Sequence, residues 1–184
     1  LKRQEVRTSQ SHPLRIDEVT AGEAGGVIGI TFCPGKRGAS NAGCRWERDL
    51  ATDLDAIAAW RPGAIVTLIE DHEFDMLGVR GLGAQVRARG IDWHHLPIVD
   101  VQPPDERFEA LWLASGPALT GLLRDGRKVL VHCRGGLGRA GTVAALLLVE
   151  LGVNGAEAVR RVRAARRGAI ETSEQLRYVM DASC

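Results

Sequence analysis

Cys133 and Arg139 stand six positions apart in the segment His132-Cys133-Arg134-Gly135-Gly136-Leu137-Gly138-Arg139-Ala140-Gly141. An ionised thiol is a strong nucleophile, and a guanidinium presents a planar fork that matches two oxygens of a phosphoryl group. Between the two lie Arg134, Leu137 and three glycines. Gly135, Gly136 and Gly138 permit positive φ and a close approach of backbone to ligand. A turn of this make-up that opens a helix aims several backbone N–H groups at one point, which makes an anion cradle. Arg134, Gly135, Gly136, Leu137, Gly138 and Arg139 are therefore the candidate phosphate-binding residues. Cys133 is the candidate nucleophile at the rim, where the positive cup favours its thiolate. Arg139 is the clamp that returns over the site.

Such a cradle needs a strand that ends where it starts and a helix that starts where it ends. Residues 128–132 (KVLVH) supply the strand. GRAGTVAALLLVELG reads as a helix apolar nearly all round, hence a central buried one. Upstream, residues 27–31 form a short apolar strand, followed by the turn-rich loop FCPGKRGASNAG. Leu50, Leu54 and Ile57 recur at helical spacing and predict a helix over about 46–60, stopped by Arg61-Pro62-Gly63. Residues 64–69 (AIVTLI) read as a buried strand, 73–89 as a glycine-broken helical stretch, and 91–98 as a third strand ended by VDVQPPDE. Phe108, Leu111, Trp112, Leu119, Leu122 and Leu123 mark a long helix with an irregularity at Gly116-Pro117. Asn154 with Glu157, and Thr172 with Gln175, fit capping arrangements for the last two helices. Strands alternating with helices predict a single α/β domain: a central, mostly parallel twisted sheet with helices on both faces. The expected boundaries are a loose polar arm over 1–13 and the domain over 14–184.

Composition narrows the function. Of 184 residues, 45% are apolar and 26% charged, with a formal net charge of +1. That balance gives no global basic field for nucleic acid or anionic membrane, so any anion preference is local. No apolar run reaches the ~18 residues of a membrane span. The first residues, LKRQEVRTSQSHP, lack the apolar stretch of a signal peptide. Cys33, Cys44, Cys133 and Cys184 show no CxxC zinc spacing, and reduced thiols in a cytoplasmic protein are the expectation. No metal or organic cofactor is implied.

The Cys–Arg loop after His132, set between strand and helix, resembles the protein tyrosine phosphatase superfamily, and HCRGGLGRAG is most similar to its dual-specificity branch. Phe32-Cys33-Pro34-Gly35-Lys36 and His94-His95-Leu96-Pro97-Ile98-Val99-Asp100 resemble segments of the kinase-associated phosphatase (cyclin-dependent kinase inhibitor) family. RRVRAARRGAIETSEQ resembles the stretch after the central helix of these enzymes. The resemblance implies a phosphatase fold and the hydrolysis of phosphomonoesters on proteins through a phosphocysteine on Cys133, with phosphotyrosine first and phosphoserine or phosphothreonine beside it. The partner implied is a phosphorylated protein or peptide. An aspartic acid protonates the leaving oxygen and then activates water. Asp100, 33 residues before Cys133 in a Pro-flanked loop, resembles that acid, with Asp105 as the alternative. The family has Ser or Thr directly after the Arg, where a hydroxyl helps the thiolate leave. Here Ala140 occupies that place and Thr142 is shifted, which bears on breakdown of the intermediate and slightly favours the rival class, a phosphatase-like module that binds phosphorylated partners with impaired turnover; Cys133, Arg139 and Asp100 together disfavour it.

Blander readings stand beside these. His132 orients the loop through hydrogen bonds. Arg134 is either a second phosphate contact or a solvated side chain. Gln175 resembles a family glutamine, but its capping box with Thr172 is a sufficient account. Gly136-x-Gly138-x-x-Gly141 matches a dinucleotide fingerprint, yet only helices are expected after it. His94 and His95 are adjacent strand residues facing opposite ways and so poor candidates for one metal ion. The arginines at 160, 161, 163, 166 and 167 read as a solvated helix face, with Arg166 or Arg167 bordering the cup.

Overall fold

The structure is a computed structural model and describes residues 5–40 and 43–183. Cys184 lies outside the described residues. A five-stranded sheet in the order β2-β3-β8-β6-β7 forms the centre. Its strands are β2 (Asp17–Ala21), β3 (Gly26–Thr31), β6 (Ala64–Thr67), β7 (Asp92–His95) and β8 (Lys128–His132). All neighbours run parallel except the edge strand β2, which is antiparallel to β3. The mostly parallel α/β sheet expected from sequence is therefore present, with β2 as an addition that the sequence reading missed.

Side chains alternate across the sheet as a period of two demands. Val129 and Val131 of β8, with Ala64 and Val66 of β6, face the larger core. That core is completed by α4 (Glu106–Arg124), α5 (Gly138–Glu150), α6 (Gly155–Ala165) and α7 (Ser173–Ala182). Leu130 and Ile65 face the second core, under α1 (Leu50–Trp60) and α3 (Leu82–Ala88). The short α2 (Asp71–Met76) precedes α3. Residues 138–148 of α5 are all buried, as a helix apolar on every side must be. Pro117 sits inside α4 without breaking it. The acceptor orphaned by its missing N–H is that of Leu113, an exposed residue.

Three expectations change. Helix α1 starts at Leu50, because Asp49 caps it by accepting the Thr52 N–H at 2.7 Å. The residues before it form strands instead: β1 (Val6–Arg7), β5 (Arg45–Glu47) and β4 (Arg37–Ala39) make a small sheet in the order β1-β5-β4. The strand expected over 91–98 is regular only at Asp92–His95, since Pro97 has no N–H to continue the ladder. The described part of the arm, residues 5–13, is fastened down where a loose segment was expected. Arg48, fully buried and paired with both oxygens of Asp53 at 2.8 Å, donates to the carbonyls of Thr8 and His12. A buried guanidinium needs all its donors filled, and the arm's backbone fills two of them.

β8 lies between β3 and β6, and the chain leaves β3 for β6 and returns from β7 to β8. The C-terminal end of β8 is thus the switch point of the sheet, where open α/β folds form a crevice. Cys133 is the next residue after that strand.

Candidate active site

Five consecutive carbonyls after β8 are tied outward. His132 Nδ1–H donates to Cys133 O at 3.2 Å, and Cys33 N–H donates to Arg134 O at 3.2 Å. Arg166 holds the next two, with Nη2 3.1 Å from Gly135 O and Nε on Gly136 O. Gly141 N–H reaches Leu137 O at 2.8 Å. In a planar trans peptide the N–H points away from the C=O. The N–H groups of residues 134 to 138 therefore face the opposite way, into the cup. One of them, Gly136 N–H, meets Cys133 Sγ at 3.2 Å. Gly136 has φ 72°, and a Cβ there would strike the backbone of Thr31 and Phe32. The loop accepts only glycine at this position.

Arg166 is the one of the two candidate arginines that reaches the loop. It holds the outer carbonyls rather than facing the anion, and Asp17 on β2 anchors it at 2.8 Å. The run around it divides by role: Arg160 and Arg161 pair with Glu157 on the surface, while Arg163 donates to the carbonyls of Ala169 and Ile170.

His132 is fully buried, and burial pushes its pKa down to about 4. Its tautomer follows from its partners. A carbonyl can only accept, so Nδ1 carries the proton and Nε2 accepts from Thr67 Oγ1 at 2.7 Å. Trp93 Nε1–H in turn donates to Thr67 Oγ1 at 2.8 Å. The chain Trp93–Thr67–His132 thus fixes the carbonyl of Cys133 and with it the direction of the sulfur. The expected orienting role fits this geometry.

Arg139 is buried, and three of its five N–H donors make hydrogen bonds, with an ion pair to Asp100 beside them. Nη1 meets Glu73 Oε2 at 2.6 Å and Ile98 O at 3.0 Å. Nη2 meets Glu73 Oε1 at 2.9 Å and Asp100 Oδ1 at 3.1 Å. Burial alone would lower its pKa, but the Glu73 hydrogen bonds more than reverse that, and the guanidinium stays charged. Burial also opposes ionisation of Glu73, yet the same bonds hold its carboxyl below the usual range. Glu73 fills the Nη1/Nη2 end of the fork and leaves the Nε/Nη2 edge for a ligand. On that edge Asp100 occupies one leg.

Asp100 is half-exposed, with its side chain at 53%, on a loop in which Val101 has φ 59°. A β-branched residue in that region is strained. Asp105 is otherwise engaged: it caps α4 by accepting the Phe108 N–H at 3.0 Å. Thr142 Oγ1 donates to Gly138 O at 2.7 Å, which uses its single proton and turns it away from Cys133. Ala140 is fully buried. Gln175 makes the capping box expected with Thr172, and its Nε2 also donates to Gln102 O at 3.2 Å. The capping account was therefore incomplete, since Gln175 also ties down the Asp100 loop.

Glu73 and Lys36 escaped the sequence reading. Glu73 is 2% exposed, yet it sits among Glu70, Asp71 and Asp75 with nothing in the local pattern to mark it. Lys36 is 8% exposed, its ammonium lying 4.5 Å from the Phe32 ring and 4.4 Å from the Trp46 ring. His94 bonds Ser115 and His95 bonds Ile69 O, on separate elements. Among the described residues no group of three or more His, Cys, Asp or Glu could hold a metal ion. Among the described residues only helices follow α5, so the glycine pattern has no second strand after it.

Comparison with known proteins places this geometry. A family model described as Swiss Army Knife protein, DSP-PTPase phosphatase domain, matches residues 47–183. Cyclin-dependent kinase inhibitor 3 of Homo sapiens is 41% identical over 143 residues, covering 74% of this chain and 66% of that protein. The Rattus norvegicus protein of the same name is 40% identical over the same shares. The chain thus spans just under two thirds of the length of these curated relatives. The crystal structure of kinase associated phosphatase with its catalytic site cysteine substituted by serine matches with a TM-score of 0.78. It is 28% identical, and the match covers 92% of this chain and 93% of that one.

Proposed function

The chain belongs to the DSP-PTPase family of dual-specificity and tyrosine phosphatases, and from that premise we propose that it hydrolyses phosphomonoesters on proteins through a phosphocysteine on Cys133. The observation that carries the reading is the 3.1 Å contact between Arg139 and Asp100, beside a loop whose Gly136 N–H already donates to Cys133 Sγ. Nucleophile and clamp belong to one loop, and the acid candidate reaches the clamp from a separate segment.

The donor count on Arg139 orders the events. The substrate phosphate takes the Nε/Nη2 edge and displaces Asp100 from Nη2. The inward N–H groups of residues 134 to 138 hold the remaining phosphoryl oxygens. Cys133 Sγ attacks phosphorus and forms the S–P bond as the P–O bond breaks. Asp100, released from the ion pair, takes up a proton from solvent and gives it to the leaving oxygen. In the second step water attacks phosphorus and yields its proton to Asp100, and the S–P bond breaks with its electron pair returning to sulfur. Phosphate leaves, and Asp100 gives the proton up to solvent and returns to Arg139 as a carboxylate.

Phosphotyrosine, with phosphoserine or phosphothreonine, is the substrate class. The names of the relatives, a kinase inhibitor and a kinase associated phosphatase, support a phosphorylated protein as partner. No helix among the described residues is long and apolar enough to cross a membrane. Cys33, Cys44 and Cys133 are free thiols, which supports a reducing, cytoplasmic setting.

A second reading, a binding module that holds phosphorylated partners, is favoured by one observation: neither Ala140 nor the engaged Thr142 offers a hydroxyl to the departing sulfur. One assay separates the two. Purified protein should release phosphate steadily from p-nitrophenyl phosphate, and Cys133→Ser should abolish release. Failure of the native chain to turn over, with phosphate bound, would favour the module. Hydrolysis near the native rate by Cys133→Ser would refute the mechanism.

A further inference from the structure

The loop that carries Asp100 is strained. Gln102 N–H closes a turn over residues 99–102 by donating to Val99 O at 3.0 Å, and Val101 stands third in that turn with φ 59°. This is the type II pattern, whose third position suits glycine or asparagine. A valine there is costly and persists only where its surroundings over-determine it. Two other elements hold the turn. Arg139 pairs with Asp100 at 3.1 Å, and Gln175 Nε2–H donates to Gln102 O at 3.2 Å. The first contact is given up when phosphate takes the Arg139 edge. The second does not depend on Arg139, and it is in place when Asp100 has to deliver its proton.

Gln175 is fully buried in the first turn of α7. Its partners fix which amide atom is which. Oε1 accepts the N–H groups of Glu171 and Thr172 at 3.0 and 3.2 Å, so the other atom is the donor to the loop. The same amide lies against Gly138 of the cup, where an added Cβ would come to 3.0 Å from both its polar atoms. One buried side chain therefore joins the cup to the acid loop. The capping box with Thr172 would be served equally by glutamate, the other residue favoured at this position. A carboxylate, however, has no N–H for Gln102 O.

We propose that Gln175 is a positioning residue for the general acid: its amide N–H holds the 99–102 turn, so that Asp100, once exchanged from Arg139, still faces the leaving oxygen. The inference deepens the phosphatase reading and rests on it. Gln175 acts through Asp100, in the step that breaks the P–O bond. Its effect is largest where the leaving oxygen most needs a proton.

The test compares phenyl phosphate, which has a poor leaving group, with 2,4-dinitrophenyl phosphate, which has a good one, in Gln175→Glu and Gln175→Met. The first variant keeps the cap, the second adds no charge beside the cup, and both lose the donor. Each should lose about tenfold or more in kcat/KM on phenyl phosphate and less than about twofold on the dinitrophenyl ester. In an Asp100→Ala background neither should lose more, since the group being aimed is gone. Thr172→Ala weakens the cap from its other side and should lower Tm without changing the ratio of the two substrates. Equal losses on both substrates, or the full loss repeated on Asp100→Ala, would make Gln175 a structural residue and overturn the proposal. Unchanged rates on phenyl phosphate in both variants would overturn it as well. Amide exchange followed by NMR needs no turnover: the Gln102 N–H should exchange about tenfold faster in Gln175→Met, and an unaltered rate would overturn the tether. If the native chain hydrolyses neither ester, the phosphatase reading fails and the acid's role with it, while the exchange rate still decides whether Gln175 holds the turn.

Discussion

Replacing Glu73 by Gln tests whether Arg139 is held for phosphate by the protein rather than by its ligand. The amide keeps the shape of the carboxyl, but only its oxygen accepts. One of the two bonds, at 2.6 and 2.9 Å, becomes a donor facing a donor. The guanidinium is then left 1% exposed, with its remaining ion pair the one to Asp100, which is half in solvent. Removing one partner of a buried pair costs about 3–5 kcal/mol. For a domain of this size, 1 kcal/mol shifts Tm by about 2–4 °C, so a fall of roughly 6–12 °C is expected at the lower figure. Catalysis should suffer separately. Without Glu73 the Nε/Nη2 edge is no longer aimed at the cup, and a misplacement of about 1 Å costs on the order of 100-fold. Scanning calorimetry and p-nitrophenyl phosphate kinetics read the two effects. The loss should be mainly in kcat, since the loop amides still bind phosphate. A Tm within 2 °C of native would refute the energetic argument. A lowered Tm with unchanged kcat/KM would show that the pair is structural and that Arg139 needs no positioning.

The buried His132 titrates at about 4 against 6.5 unfolded, so the unfolded chain binds the extra proton first. Stability should therefore fall as pH drops from about 6.5 to 4, by about 3 kcal/mol in total, and urea midpoints for His132→Gln should lack that slope. Asp100→Ala should lower kcat by roughly 100-fold and flatten the basic limb of the pH profile, with substrates of good leaving ability suffering less. Asp105→Ala should instead cost about 1 kcal/mol of stability through the lost cap and leave the profile unchanged; the reverse pattern would exchange their roles. With no hydroxyl near the sulfur, phosphocysteine should accumulate, so rapid mixing should show a burst approaching one product per site. Ala140→Ser should shrink it by speeding breakdown about tenfold, consistent with one hydrogen bond to a charged group, while kcat/KM stays level; Thr142→Ala, whose hydroxyl is engaged by Gly138 O, should leave the burst unchanged.

What could be read in the sequence follows from how local each signal is. The strand at 128–132, the glycine loop and the all-apolar helix after it are contiguous, and together they specify the cradle. The caps at Asn154 and Thr172 are likewise local. The small sheet was invisible because Arg45–Glu47 and Arg37–Ala39 are three residues each, too short for alternation to declare itself. The helix expected over about 46–60 instead ran back past the Asp49 cap and covered Arg45–Glu47 in part. Asp105 and Asp100 looked alike as acids in one loop, although Asp105 with Phe108 three residues on carries a capping spacing that could have separated them.

The deepest omission was Glu73. Its partner is 66 residues away, and nothing in a run of acidic residues distinguishes the one that the fold buries. Arg139 announced itself because its chemistry and its glycine neighbours are adjacent in the chain, whereas the residues that aim it come from α2, from the carbonyl of Ile98 and from the Asp100 loop. The same division holds for the cup, whose amides are local but whose outward carbonyls are held by Arg166, Cys33 and His132. A motif names the groups that touch a phosphate. The surrounding fold decides which of their donors remain free to touch it, and in this chain it leaves Arg139 one edge, shared with Asp100, so that arrival of the phosphate and release of the acid are a single exchange.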